Sequence, residues 1–251
     1  DNRVEELAKR LMAAEDEREL QDPLTADYPD LSEEEAYQVQ DRTLQMREER
    51  GEKLVGLKLG LTSKAKQERM NVDTPLVGWM TDAHYLEPGE PIPTDRFIQP
   101  RVEPEIFVTL KKPLEGPNVT IEDVRDAVDY VYAGLDVIDS RYKAYKFTHK
   151  DVVADNSSGA GFIVGPVALR VDDLDLALES VTVEVDGQVV DTATGAAILG
   201  HPLAAVAFGA NVLAERGRRL EAGQIVLAGA LTDAIPVDAG KAIAFHFSNL
   251  G

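Results

Sequence analysis

Cysteine is absent from all 251 residues, which excludes disulfides, thiolate nucleophiles and cysteine zinc sites. Basic residues are few beside acidic ones: 26 Lys and Arg stand against 45 Asp and Glu, a formal charge of −19. A surface of that sign repels phosphate backbones and anionic bilayers, so nucleic acid and membrane surfaces are excluded as partners. No apolar run approaches the ~20 residues a membrane-spanning helix needs. The opening residues, Asp1-Asn2-Arg3-Val4-Glu5-Glu6, lack the basic start and apolar stretch of a signal peptide, so a cytoplasmic location is expected. Internal repeats and low-complexity stretches are also missing.

What is there reads as a globular chain. With 44% hydrophobic and 28% charged residues, it can bury a sizeable core as one large domain or two unequal lobes. Val4, Leu7, Leu11 and Met12 follow helical spacing. Ser32 with Glu35 three residues on has capping-box form and predicts a helix from there to about Arg50, stopped by Gly51. Residues 54–59 read as a strand, and Thr62 or Ser63 caps a short helix to about Met70.

From Pro75 onward, β-like runs alternate with Gly and Pro turns, at 83–86, 105–110, 134–139, 161–165, 181–185, 188–192, 224–228 and 242–247. Asp186-Gly187 is a hairpin signal. A helix capped by Thr120 with Asp123 at its third position runs to about Tyr130, and another starts near Pro202 and reaches Arg216 before Gly217. The expected fold class is therefore α+β. A helical N-terminal region, 1–75, packs on a β-rich core of mixed topology, 76–251, and the strands lack the regular helices of a doubly wound sheet.

Three segments carry the chemistry. In Arg101-Val102-Glu103-Pro104-Glu105-Ile106, the two glutamates lie at i and i+2 at the head of an apolar run, so on a strand they share a face. Paired carboxylates repel unless a cation lies between them. Asp136 stands inside the apolar Ala133-Gly134-Leu135-Asp136-Val137-Ile138 and must be paired or metal-bound. Its ordinary explanation is an ion pair with Arg141 or a buried lysine, and Asp139 is an equal candidate to partner Arg141. Lys58, in Gly56-Leu57-Lys58-Leu59-Gly60, is either snorkelling or held near a metal, with a depressed pKa, as an acid or base. Three carboxylates with open positions suit Mg²⁺ or Mn²⁺. The turn Asp155-Asn156-Ser157-Ser158-Gly159-Ala160-Gly161 can offer amides and hydroxyls to a carboxylate, or be only a turn. His84, His149, His201 and His246 form no ligand spacing, and the tyrosines and Trp79 read as core and rim.

In order and spacing, Gly56–Ser63, Val72–Gly78, Arg101–Ile106, Leu135–Tyr142, Val152–Gly161 and Gly229-Ala230-Leu231-Thr232 resemble the hydratase/decarboxylase branch of the fumarylacetoacetate hydrolase superfamily. The resemblance covers nearly the whole chain and implies a β-roll core, a homo-oligomer and a Mg²⁺ or Mn²⁺ on Glu103, Glu105 and Asp136. The third position is usually Glu, so Asp136 is a departure. The lysine of the GxKxG segment maps onto Lys58 as the acid/base group, with Leu61, Leu76, Arg141, Lys146, Ser157 and Ser158 as substrate contacts.

Within the branch, two activities compete: decarboxylation of 2-oxohex-3-enedioate, a 2-oxo dicarboxylate, and hydration of 2-hydroxypenta-2,4-dienoate. Both belong to the meta-cleavage degradation of catechols. The segment from Asp139 to Phe147 resembles the decarboxylase form. Leu76 stands where similar hydratases carry an acid, on a segment expected to fold over the substrate as a lid. An acylpyruvate hydrolase, or an inactive subunit scaffolding the pathway hydratase, are the remaining alternatives; the branch's two enzymes are thought to form a complex.

Overall fold

In the computed structural model, which describes residues 2–251, the chain opens with helices α1 (Asn2–Glu17), α2 (Leu24–Asp27) and α3 (Glu33–Glu49). Helical spacing buries Leu7, Leu11 and Met12 of α1 on one face. The start of α3 is the expected capping box. The Glu35 amide donates to Ser32 Oγ at 3.1 Å, and the Ser32 amide donates to Glu35 Oε1 at 3.3 Å. Strand β1 (Leu54–Gly60), helix α4 (Lys64–Arg69) with Ser63 as its cap, and strand β2 (Leu76–Thr81) follow. Next come β3 (Arg101–Leu110), α5 (Ile121–Ala127), β4 (Val128–Ile138), α6 (His149–Ala154) and β5 (Gly159–Val164). The chain ends with β6 (Ser180–Val185), β7 (Gln188–Thr194), α7 (Pro202–Glu215), β8 (Ile225–Ala230), β9 (Ile235–Pro236) and β10 (Ile243–Phe247).

The strands make a 7-stranded sheet in the order β2-β1-β8-β3-β4-β5, with β9 beside β3, and a 3-stranded sheet β10-β6-β7. β1 runs parallel to β8, while its other neighbour β2, and the pairs of β3 with β8, β4 and β9, are antiparallel. The fold is thus α+β with a curled mixed sheet, as expected. The expected division at 75/76 falls between β1 and β2, where Gly60 pairs with Leu76.

Alternation along the strands separates the core from the site. Leu57 and Leu59 of β1, Ile106 and Val108 of β3, and Val131 and Ala133 of β4 join the core that contains Val206 and Ala210 of α7. Lys58, the odd-numbered β3 residues Arg101, Glu103 and Glu105, and Asp136 of β4 therefore face the other way. On that side the N-terminal helices meet Leu76, Tyr142, Val152 and Val153 in a second cluster.

Three expectations change. Residues 83–86 are not a strand: Asp82–His84 is a 3₁₀ turn, and Tyr85 makes an isolated bridge to Phe162. α5 ends at Ala127, because Val128, Tyr130, Val131 and Tyr132 are β-branched or aromatic and begin β4. The third concerns apolar runs: Gly195–Glu215, at 21 residues, is long and apolar enough to cross a membrane by length and composition alone. Within it a 3₁₀ turn, Gly195–Ala197, precedes α7, and α7 buries Leu203, Val206, Ala210 and Leu213.

Candidate metal centre

Glu103 on β3 and Asp136 on β4 are directly paired residues of an antiparallel ladder, so their side chains rise from the same spot on the sheet. Glu105 follows two residues on. Carboxylate oxygens of Glu103, Glu105 and Asp136 all lie within 4.8 Å of one another, and all three residues are buried. Lys58 Nζ, from β1, reaches Asp136 Oδ2 at 2.8 Å, and no donor reaches Asp136 Oδ1 among the described residues. The ordinary explanation for Asp136, a buried lysine, is thus present together with the cluster.

The backbone shapes this floor. Gly229 holds φ +117, and a Cβ there would lie 2.1 Å from Thr62 Oγ1. Its amide donates to Glu105 Oε2 at 3.0 Å. Asn156, Ser157 and Ser158 all adopt left-handed φ values, 52, 56 and 55°, a conformation that persists only when its surroundings fix it. Asn156 fixes it from one end: Trp79 N donates to its Oδ1 at 2.7 Å, and its Nδ2 donates to Trp79 O at 2.8 Å. At the other end Ser158 O accepts the Asp139 amide at 2.8 Å. The turn aims Ser157 O at Lys58 Nζ, 3.2 Å away. Gly60 leaves the room, since a Cβ there would lie 2.5 Å from Ser157 Oγ.

The electrostatics call for a cation. Burial pushes the Glu105 carboxyl well above the ordinary range, and the neighbouring Asp136 and Glu103 charges add to that. Burial alone would lower Lys58, but Asp136, then Glu105 and Glu103, outweigh it and raise its pKa. Here the three nearby carboxylates outweigh desolvation; the depression expected of Lys58 belongs to a lysine beside a bound metal. Three clustered carboxylates, one protonation-prone for lack of counter-charge and one with an orphaned oxygen, fit a hard divalent ion with oxygen ligands.

A cavity of about 420 Å³ opens over this floor. Lys58, Glu103, Asp136, Leu61, Leu76, Ser157 and Ser158 line it together. Leu76 is fully buried at the start of β2, hydrogen-bonded into the sheet, so it forms a fixed wall and not a lid.

Arg141 and Lys146 are not brought to the cavity. The Arg141 guanidinium is buried and spent on Asp155 Oδ1 (2.7 Å), Asp155 O (2.8 Å) and Gly159 O (3.1 Å). Lys146 is exposed and does not line the cavity. Asp139 is not the partner of Arg141 either, because its carboxylate accepts the Ile98 and Gln99 amides at 2.9 and 2.7 Å.

The cations over the cavity are instead Lys66, Arg69 and Arg101, with Tyr145 beside them. Lys66 Nζ donates to Glu103 Oε2 at 2.8 Å, and Arg69 pairs with Asp233 at 2.9 Å. The sequence held a signal for the first two. Lys66 and Arg69 are three residues apart after a Ser cap, which puts them on one side of α4.

Residues 52–251 match the fumarylacetoacetate (FAA) hydrolase C-terminal family. The chain is 43% identical over 228 residues to a 4-oxalocrotonate decarboxylase of Pseudomonas putida, covering 91% of this chain and 86% of that protein. It is 39% identical over 251 residues to a 2-oxo-hept-4-ene-1,7-dioate hydratase of Escherichia coli, covering 98% and 94%. Among solved structures, the 4-oxalocrotonate decarboxylase of Pseudomonas putida G7, complexed with magnesium and adipate, superposes with a TM-score of 0.97. That match has 41% identity over 100% of this chain and 95% of the other. This chain belongs to the fumarylacetoacetate hydrolase family.

Proposed function

We propose that the chain is a divalent-metal-dependent decarboxylase that converts 2-oxohex-3-enedioate (4-oxalocrotonate) to 2-hydroxypenta-2,4-dienoate and CO₂. The observation that carries this reading is the juxtaposition of Glu103, Glu105, Asp136 and Lys58 beneath a cavity whose fixed wall at position 76 is leucine. The 43% identity to a decarboxylase supports it over almost the whole chain.

Glu103, Glu105 and Asp136 would hold Mg²⁺ or Mn²⁺, which when bound draws electron density from the carbonyl of a 2-oxo acid. Lys58 is held at the same point by Asp136 and Ser157 O. In the reaction the C5–C6 bond breaks, C6 leaves as CO₂, and the electron pair passes through the conjugated chain to the 2-oxo oxygen. Lys58, anchored by Asp136 and Ser157 O, is the group placed to supply the proton that converts the dienolate to the enol product. Leu76 closes one wall of the cavity against water, which favours the loss of hydration that departure of a carboxylate requires. Leu61, Ser157 and Ser158 shape the remaining wall; Arg141 holds the 155–159 turn in place.

The hydratase reading has one observation in its favour, the 39% identity to a hydratase over 98% of the chain. It lacks an acid at 76. The proposed activity also carries a cytoplasmic homo-oligomer and a complex with the hydratase that consumes the dienol. Measuring CO₂ release from 2-oxohex-3-enedioate beside hydration of 2-hydroxypenta-2,4-dienoate, with Mg²⁺ and with chelator, separates the two. Decarboxylation should dominate and vanish with chelator. Hydration alone would replace this reading with the hydratase.

A further inference from the structure

Arg101 is an anomaly of charge. The chain carries 45 acidic residues against 26 basic ones, yet this arginine has no carboxylate partner among the described residues. Its guanidinium lies 3.7 Å from the centroid of the Tyr145 ring, and both residues line the cavity over the carboxylate cluster. Stacking on an aromatic ring fixes the plane of the guanidinium while leaving its edge donors available. β3 pairs with β4 without a break from Arg101 to Val108, so Arg101 sits two residues from Glu103 on the same strand face, about 7 Å along it. A six-carbon chain spans that interval. Tyr145 reaches the stack through a loop in which Ala144 and Tyr145 both hold left-handed φ, 58 and 54°, a conformation that costs energy in non-glycine residues.

We propose that Arg101, oriented by the Tyr145 ring, receives the second carboxylate of a dicarboxylate ligand whose first carboxylate lies over Glu103, Glu105 and Asp136. Arg101 is then the residue that selects dicarboxylates over monocarboxylates of equal length. Its planar fork matches a carboxylate in two-point contact, and its position fixes the direction in which the far carboxylate, and the bond that joins it to the chain, points. This inference rests on the reading of the preceding subsection and names how that site recognises its substrate class.

The test is calorimetric binding of hexanedioate and of hexanoate to the Mg²⁺-loaded protein, for wild type, Arg101→Leu and Arg101→Lys, with melting curves for all three. Wild type should bind hexanedioate more tightly than hexanoate. Arg101→Leu should lose roughly 10- to 100-fold in hexanedioate affinity, as expected for a charge-assisted pair, with hexanoate and Mg²⁺ binding unchanged. Arg101→Lys keeps the charge but not the fork or the stack, and should recover only part of the loss, so a misfolded leucine variant does not decide the matter. Hexanedioate binding at wild-type strength in either folded variant would overturn the proposal. A wild type that binds Mg²⁺ but treats both acids alike would sink this inference alone, whereas a wild type that binds no Mg²⁺ would sink the metal-dependent reading beneath it.

Discussion

Asp136 stands opposite Glu103 across the β3–β4 ladder, and its carboxylate is joined at 2.8 Å to Lys58 of β1. One aspartate thus links two separated strands and faces both an acid and a base. Without a bound cation, Lys58 is its counter-charge. Replacing Lys58 with Met should cost about 3–5 kcal/mol in chelator, the range for a buried charge that loses its partner. Mg²⁺ should recover part of that deficit, and kcat should fall by more than metal affinity does. Melting curves with Mg²⁺ and with EDTA check this; a deficit of the same size in both would mean that Asp136 does not face the ion.

The cluster also predicts how the folded state responds to metal. Mg²⁺ at 100 times its dissociation constant should stabilise the protein by about 2.7 kcal/mol, read as a rise in melting temperature. Glu105→Gln should remove most of that rise, because it deletes one of three charged ligands. An unchanged shift in the variant would take Glu105 out of the site.

Leu76 is the residue on which the choice of reaction turns. Leu76→Asp would place a carboxylate in the cavity wall, where it repels a dianionic substrate and holds water. CO₂ release should slow by a factor of ~10 or more, since repulsion and retained hydration both oppose departure. Undiminished release by a folded variant would remove the chemical reason for preferring decarboxylation.

His84 gives a stability signature at acid pH. Its buried ring accepts the Thr81 amide on Nδ1 at 2.9 Å, and burial, reinforced by Arg47 and Arg141, holds its pKa well below the ordinary value. The unfolded chain takes up a proton there below about pH 6.5 while the folded chain does not, so stability falls as pH drops through that point. The slope has a ceiling of about 1.4 kcal/mol per pH unit for one proton. Asp155, whose pKa burial pushes up to about 6, acts in the opposite sense at the acid end. The comparison is therefore between wild type and His84→Asn, denatured by urea at pH 7 and pH 5. The variant should lose less stability on acidification than wild type, and equal losses would refute the assignment.

Much of this architecture could be read from local signals. The Ser32/Glu35 and Thr120/Asp123 boxes start helices because capping is decided within a single turn. Glu103 and Glu105 were legible because i and i+2 must share a strand face, and Lys58 because an apolar strand has no reason to carry a lysine. β2 was not legible: all of its residues are buried, so no alternation marks it as a strand. Arg141 misled for a related reason. A charged residue in a family segment looks like a ligand contact, and only the tertiary fold shows it spent on Asp155 and Gly159. Lys66, Arg69 and Arg101 carry no assignment from the sequence; the turn of α4 and the face of β3 place them over the cavity.

The most direct test of the central claim is CO₂ release from 2-oxohex-3-enedioate by metal-stripped protein titrated with Mg²⁺, wild type beside Glu105→Gln. The account predicts no release by the stripped protein and saturable recovery with Mg²⁺. In the variant, turnover at saturating metal should be at least ~10²-fold lower, as loss of a charge-stabilising ligand implies. Full activity in the stripped protein, or a variant that matches wild type at limiting Mg²⁺, would contradict it.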